Sequence, residues 1–139
     1  MCQIGEFIYI FGGRIREDFT NKLTKVNIHK LDHMQAEENM PVERAFHCAA
    51  QYGRKMVVYG GHNKNIVEDY SVFDTTDNVW MPIPEIQGKF PSKREKQSCV
   101  LYEMLLVFFG GYYCSPDFEF EKTYNDINVL DLEHMMWIE

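Results

Sequence analysis

The chain has 139 residues, 45% of them hydrophobic and 14% aromatic, which is the size of roughly one domain with ample material for a core and excludes a disordered, collagen-like or coiled-coil chain. Fourteen basic against 21 acidic residues give a net charge of −7. That sign argues against holding nucleic acid or anionic lipid by phosphate neutralisation and points to protein partners.

No apolar run approaches the roughly 18 residues of a membrane span, and Met1 to Phe11 lacks the basic start and cleavage site of a signal peptide. A soluble, cytoplasmic chain is expected. Cys2, Cys48, Cys99 and Cys114 show no CxxC spacing, so free thiols are expected rather than a disulfide framework.

In chain order, three apolar runs each close on a glycine doublet. Phe7–Phe11 ends at Gly12-Gly13, Met56–Tyr59 at Gly60-Gly61 and Met104–Phe109 at Gly110-Gly111, with the doublets 48 and 50 residues apart. The runs read as buried strands and the spacing as a repeat. Upstream of the later doublets, Pro41-Val-Glu-Arg44 through Tyr52 superposes on Pro91-Ser-Lys-Arg94 through Tyr102, placing a further strand before each run. Downstream, Tyr70–Asp74 and Ile127–Asp131 alternate with period two, and Trp80 and Trp137 each follow their aspartate by six residues. Turn chemistry agrees: Tyr52-Gly53 at the first hairpin, Asp74 to Asn78 at the third, Pro82 and Pro84 at the exit. Each unit is predicted to be a four-stranded antiparallel meander, with no amphipathic helix anywhere.

A repeat of about 50 residues with these parts resembles the kelch repeat, whose units are the blades of a β-propeller. The resemblance implies an all-β fold of three four-stranded blades: residues 1–37, 38–87 and 88–139. The first is degenerate: Val26–Lys30 stands for the aspartate strand, with Val26, Ile28 and Leu31 buried, and Ala36 for the tryptophan. It also starts at the equivalent of Ala49, so that most of its first strand is expected to be missing. Three blades in an arc leave two apolar faces bare. Further blades of a longer chain, or a second subunit closing a six-bladed ring, are expected to cover them.

Catalytic and metal chemistry find little support. His29 and His33 are four apart but fall on a strand end and a turn, with no ligand-spaced partner, and His47 stands where the third unit has Gln97. There is no GxSxG, GxGxxG or GxxxxGK motif, and Cys48 and Cys99 fall on inner strands as space-filling thiols. No catalytic residue, cofactor or metal is expected.

Binding is expected on the face where the second-to-third-strand loops emerge: Arg14–Leu23, His62–Glu68 and Tyr112–Thr123, with the links Glu37–Val42 and Pro82–Lys93. These segments exceed the two to five residues of a hairpin loop. Tyr112–Lys122 carries four aromatics and three acids in eleven residues, the composition of a binding hot spot; alternatively Phe118 and Phe120 fold back on their own blade. The link Lys89–Lys96 holds four basic residues in eight, and Glu119 or Glu121 is expected to pair with Lys93 or Lys96. Arg44 and Arg94 occupy equivalent positions at the entrance to the innermost strand. In kelch adaptors arginines near that place read acidic segments; the other reading pairs them with Asp69 and Asp126 inside the unit. The expected partner-binding set is Arg44, Arg94, His62, Asn63, Tyr112, Tyr113, Phe118 and Phe120. The function implied is a protein-interaction scaffold or adaptor; the alternatives are a structural part of a cytoskeletal or ciliary assembly and, behind both, a fragment of a kelch-type enzyme.

Overall fold

The computed structural model describes residues 1–30, 33–35 (main chain only), 40–82 and 85–138. Leu31, Ala36 and Pro84, which carried expectations above, lie outside them. The described residues form strands and no helix, and twelve strands make three sheets, each an antiparallel meander in chain order. The first holds β1 (Cys2–Ile4), β2 (Phe7–Ile15), β3 (Asp18–Asn27) and β4 (His33–Gln35); the second holds β5 (Cys48–Tyr52), β6 (Lys55–Tyr59), β7 (Tyr70–Asp74) and β8 (Val79–Met81); the third holds β9 (Ser98–Tyr102), β10 (Leu105–Cys114), β11 (Glu121–Asp131) and β12 (Met136–Ile138).

The second sheet is apolar on both faces because both are covered. Met56, Val58, Phe73 and Trp80 face the first sheet and pack on Ile4, Tyr9, Phe11 and Leu23. Val57, Tyr59, Tyr70 and Val72 face the third and pack on Leu106, Phe108, Leu130 and Trp137. Alternation along a strand therefore separates two neighbours instead of core from solvent. Burying each such side chain is worth about 1.5–3 kcal/mol. Trp137 is stacked edge-on to Tyr59, centroids 5.5 Å apart, and Trp80 to Phe11 at 4.9 Å. The inner strands β1, β5 and β9 lie against one another, as in blades around an axis.

The glycine doublets sit where the backbone needs them. The register of β2 on β3 slips between Phe11 and Gly13, and that of β10 on β11 between Phe109 and Gly111. Gly60 and Gly61, at φ 70° and 103°, make the same bend. A Cβ on Gly61 would lie 2.6 Å from the Ala45 carbonyl oxygen, because the residue after it, His62, exchanges both main-chain hydrogen bonds with Ala45. Glu95 and Tyr112 make the equivalent exchange in the third sheet.

Six expectations are corrected. The first strand of the first unit is shortened rather than mostly missing: β1 pairs with β2 over the three residues Cys2 to Ile4, where β5 and β9 have five. The aspartate position of that unit is Asn27, not Lys30, since Asn27 opposes Phe7 as Asp74 opposes Lys55. Its Oδ1 accepts from the main-chain N–H groups of His29 and Lys30, as Asp131 Oδ1 does from Glu133 and His134. The tryptophan position follows six residues on, at His33, which opposes Val26 as Trp80 opposes Phe73; Ile28, past the strand end, is exposed. Finally, Arg14–Leu23 is no long loop: β2 runs to Ile15, and Arg16-Glu17 close a two-residue hairpin to Asp18. Tyr112 and Tyr113 likewise lie in β10, paired with Thr123 and Lys122.

The outer face of the third sheet is uncovered among the described residues. Val100, Phe109 and Ile127 there are 60%, 54% and 67% exposed, whereas their equivalents Ala50, Tyr59 and Tyr70 are buried against a neighbour.

Candidate functional site

Arg44 and Arg94 are built identically. Arg44 Nε donates to the Val42 carbonyl at 3.1 Å, Nη1 to Gly60 at 3.2 Å, and Nη1 and Nη2 grip the two carboxylate oxygens of Asp69. Arg94 repeats this with Ser92 at 2.9 Å, Gly110 at 3.1 Å and Asp126, and its guanidinium stacks on Tyr124. Each fork thus ties a blade's entrance to its glycine bend and to an aspartate of the third-strand segment, Asp69 just before β7 and Asp126 within β11. The hydrogen bond from Arg94 holds the Asp126 carboxyl below the ordinary range despite some desolvation. With Arg44 fully buried and Arg94 nearly so, neither offers a free guanidinium. Their placement among partner contacts is corrected, and the reading that pairs them within the unit describes the geometry.

Four of the other candidates, His62, Tyr112, Tyr113 and Phe118, come together at a cleft of about 680 Å³ between the loops of the second and third sheets, with Arg14 of the first also lining it; Asn63 and Phe120 do not line it. Its walls include His62, Lys64, Lys93, Lys96, Tyr112, Tyr113 and Phe118. Tyr112 donates its phenol to Glu121 Oε2 at 2.9 Å; that bond, then Cys114, raises the phenol's pKa and keeps it a donor. The six residues between β10 and β11 are organised by Ser115, which bonds Phe120 through main chain in one direction and accepts from Phe120 N–H on its hydroxyl. Asp117, bonded to that hydroxyl, is held below the usual carboxylate range. Phe118 stands out at a positive φ of 61° and is 84% exposed. It does not fold back on its blade, whereas Phe120 leans on Tyr113, centroids 6.1 Å apart. Asn63 is half-buried in the tight loop that follows His62.

The expected pairing of Glu119 or Glu121 with Lys93 or Lys96 does not form: Lys93 reaches Glu68 at 3.3 Å, Lys96 reaches Glu95 at 3.1 Å, and Glu121 is taken by Tyr112. Arg14 is paired with Glu17, Lys93 with Glu68 and Lys96 with Glu95, while Glu121 keeps its charge on accepting from the neutral Tyr112, so that with Lys64 the lining sets four cations and His62 against the two carboxylates Glu95 and Glu121. On a chain of net charge −7 this is a local reversal of sign, suited to an anionic segment. Glu95 was not anticipated, although it was legible: it stands where the second unit has Ala45. Among the described residues no three His, Cys, Asp or Glu side chains converge to hold a metal ion, and no helix is long and apolar enough to cross a membrane.

Three face-packed four-stranded meanders with their first strands gathered together define a segment of a β-propeller. The model of the KLHDC2/KLHL20/DRC7 Kelch-repeats domain matches residues 1–139, and the chain belongs to the kelch-repeat family. It is similar to human Kelch domain-containing protein 1, 25% identical with 97% of this chain and 40% of that protein aligned. Rat Kelch domain-containing protein 3 is 32% identical over 80% of this chain and 32% of its own length, and the bovine Kelch domain-containing protein 2 is 29% identical over 75% and 31%. The chain thus spans between about a third and two-fifths of the length of these relatives. Kelch repeats in general mediate protein–protein binding, and most kelch proteins are interaction modules without enzymatic activity.

Proposed function

We propose that this chain serves as a protein-interaction scaffold or adaptor segment, in the cytoplasm, that receives an anionic segment of a partner in the cleft between the second and third blades. The observation that carries the reading is the cleft itself. Lys64, Lys93 and Lys96 meet a wall of Tyr112, Tyr113 and the protruding Phe118, a pairing of aromatic anchors with cations found in binding hot spots. His62 and Asn63 supply polar contacts from the second blade, and Phe120 supports Tyr113. Arg44 and Arg94 act beneath them as builders of the blades. The uncovered outer face of the third blade is assigned to a further blade or a second subunit. This reading is of binding, not of catalysis.

The test compares the proteins captured by the native chain with those captured by Tyr112→Ala/Tyr113→Ala/Phe118→Ala and by Lys64→Glu/Lys96→Glu. Loss of the same partners with both variants is expected. Capture unchanged by either variant would refute the cleft as the binding site.

A further inference from the structure

The repeat separates residues that build a blade from residues that do something else. Positions 45 and 95 are equivalent: each follows its buried arginine and exchanges both main-chain hydrogen bonds with the residue after the glycine doublet, Ala45 with His62 and Glu95 with Tyr112. Both are buried, at 5% and 9% exposure. The second blade forms this junction with a methyl group, so the carboxylate of the third is not needed to make the fold. Burying it is costly unless it is paired, and it is only half paired. Oε1 meets Lys96 Nζ at 3.1 Å. Oε2 has no hydrogen-bond donor among the described residues and lies 3.9 Å from His62 Nδ1, at the bottom of the basic cleft.

We propose that Glu95 is the specificity-determining residue of this cleft, accepting a neutral N–H or O–H donor from a bound peptide segment whose carboxylates are taken by the surrounding cations. This rests on the binding reading above and narrows it. A cationic donor is disfavoured there because Lys96, Lys93 and Lys64 surround the same space. A hydroxyl or amide donor carries no such penalty and reaches Oε2 as the partly exposed His62 ring swings aside. Lys93, held only by the surface pair with Glu68, exchanges that contact for a ligand carboxylate at little cost. The ligand class is therefore an acidic segment with a serine, threonine or amide-bearing residue next to its acids, and a site built to bond such a donor rejects analogues that lack it.

A displayed library of random short peptides selected on the native chain tests this. Acidic sequences with a neutral donor at a fixed distance from the acid are expected, and their binding is expected to fall at least about tenfold with Glu95→Ala and by less with Glu95→Gln, whose amide oxygen still accepts. The donor preference, but not the acidic preference, disappears when selection is repeated on Glu95→Ala. Ala45 shows that alanine suits the junction, and a thermal melt checks that each variant is folded. Plain electrostatics predicts the opposite sign, since removing a negative charge from a basic cleft tightens an acidic peptide. Equal or tighter binding by both variants overturns the role of Glu95 while leaving the cleft intact. Failure to enrich any peptide that depends on Tyr112, Tyr113 and Phe118 overturns the cleft reading and this proposal together.

Discussion

Whether Arg44 builds the blade or greets a partner is decided by its removal. Arg44→Met keeps the apolar stem and deletes the guanidinium, leaving the Val42 and Gly60 carbonyls and the Asp69 carboxylate without their donor. Breaking a buried pair from one side costs about 3–5 kcal/mol. Because the Asp69 side chain is 45% exposed and regains water, the expected loss for Arg44→Met lies at the low end, about 3 kcal/mol. Asp69→Leu instead strands a fully buried positive charge and is expected to cost more, about 4 kcal/mol. The double variant removes both charges and is expected to lose less than the sum of the two, the coupling being about 1–3 kcal/mol. Urea unfolding followed by the fluorescence of the buried Trp80 and Trp137 measures all three. A loss below about 1 kcal/mol for Arg44→Met, accompanied by weakened partner capture, would refute the structural role and return the residue to the binding face.

Other consequences follow from the same geometry. Burial, reinforced by the charges of the N-terminus and Arg44, lowers the pKa of His47 to about 4. The unfolded chain therefore binds a proton that the folded one refuses, and stability falls as pH drops from about 6.5 to about 4. His47→Gln, copying Gln97, is expected to flatten that stretch of the stability-versus-pH curve, which amounts to at most about 3 kcal/mol; a slope unchanged by the substitution would refute the assignment. Gly61→Ala puts a Cβ 2.6 Å from a carbonyl oxygen and is expected to cost at least about 3 kcal/mol in a melt, whereas Gly53→Ala, at φ 55° with nothing within 4 Å, costs only the left-handed strain of about 1–2 kcal/mol. Equal losses would show that the close approach to Ala45 is not what selects glycine. Phe109→Lys/Ile127→Lys is expected to reduce concentration-dependent self-association of the 139-residue chain in sedimentation; unchanged association would mean that the open face of the third blade does not mediate it.

Much of this fold was legible because propeller blades repeat, and repetition lets one unit be read against another. The glycine doublets, the Asp-to-Trp spacing and the arginine after the proline were all visible as recurrences, and each corresponds to a definite contact: the bend, the turn that accepts on Asp74 or Asp131, the buried fork to Asp69 or Asp126. The first blade was misread where recurrence of residue type gave way to recurrence of geometry. Asn27 does the work of the aspartate because an amide oxygen accepts the same two main-chain hydrogen bonds as a carboxylate, and the spacing of six to His33 survives the loss of tryptophan. A search for Asp and Trp by name passes over both. Hairpin lengths were misjudged because strands β2, β3, β10 and β11 run past the glycine bend, and nothing in Arg14–Leu23 or Tyr112–Thr123 distinguishes a long loop from a long hairpin by composition alone.

The site was less legible than the fold for a related reason. Arg44 and Arg94 drew attention because they recur, yet recurrence is what a building residue shows, and both are consumed by their own blades. Glu95 was passed over because it breaks the pattern set by Ala45. In a stack of equivalent units the shared residues satisfy constraints common to every blade, including cover for two faces and donors for the carbonyls at the bend. Any function that belongs to one junction and not to the next must come from residues in which the units differ. Glu95 and Lys96 stand where the second blade has Ala45 and Phe46, and they meet Phe118 at one cleft.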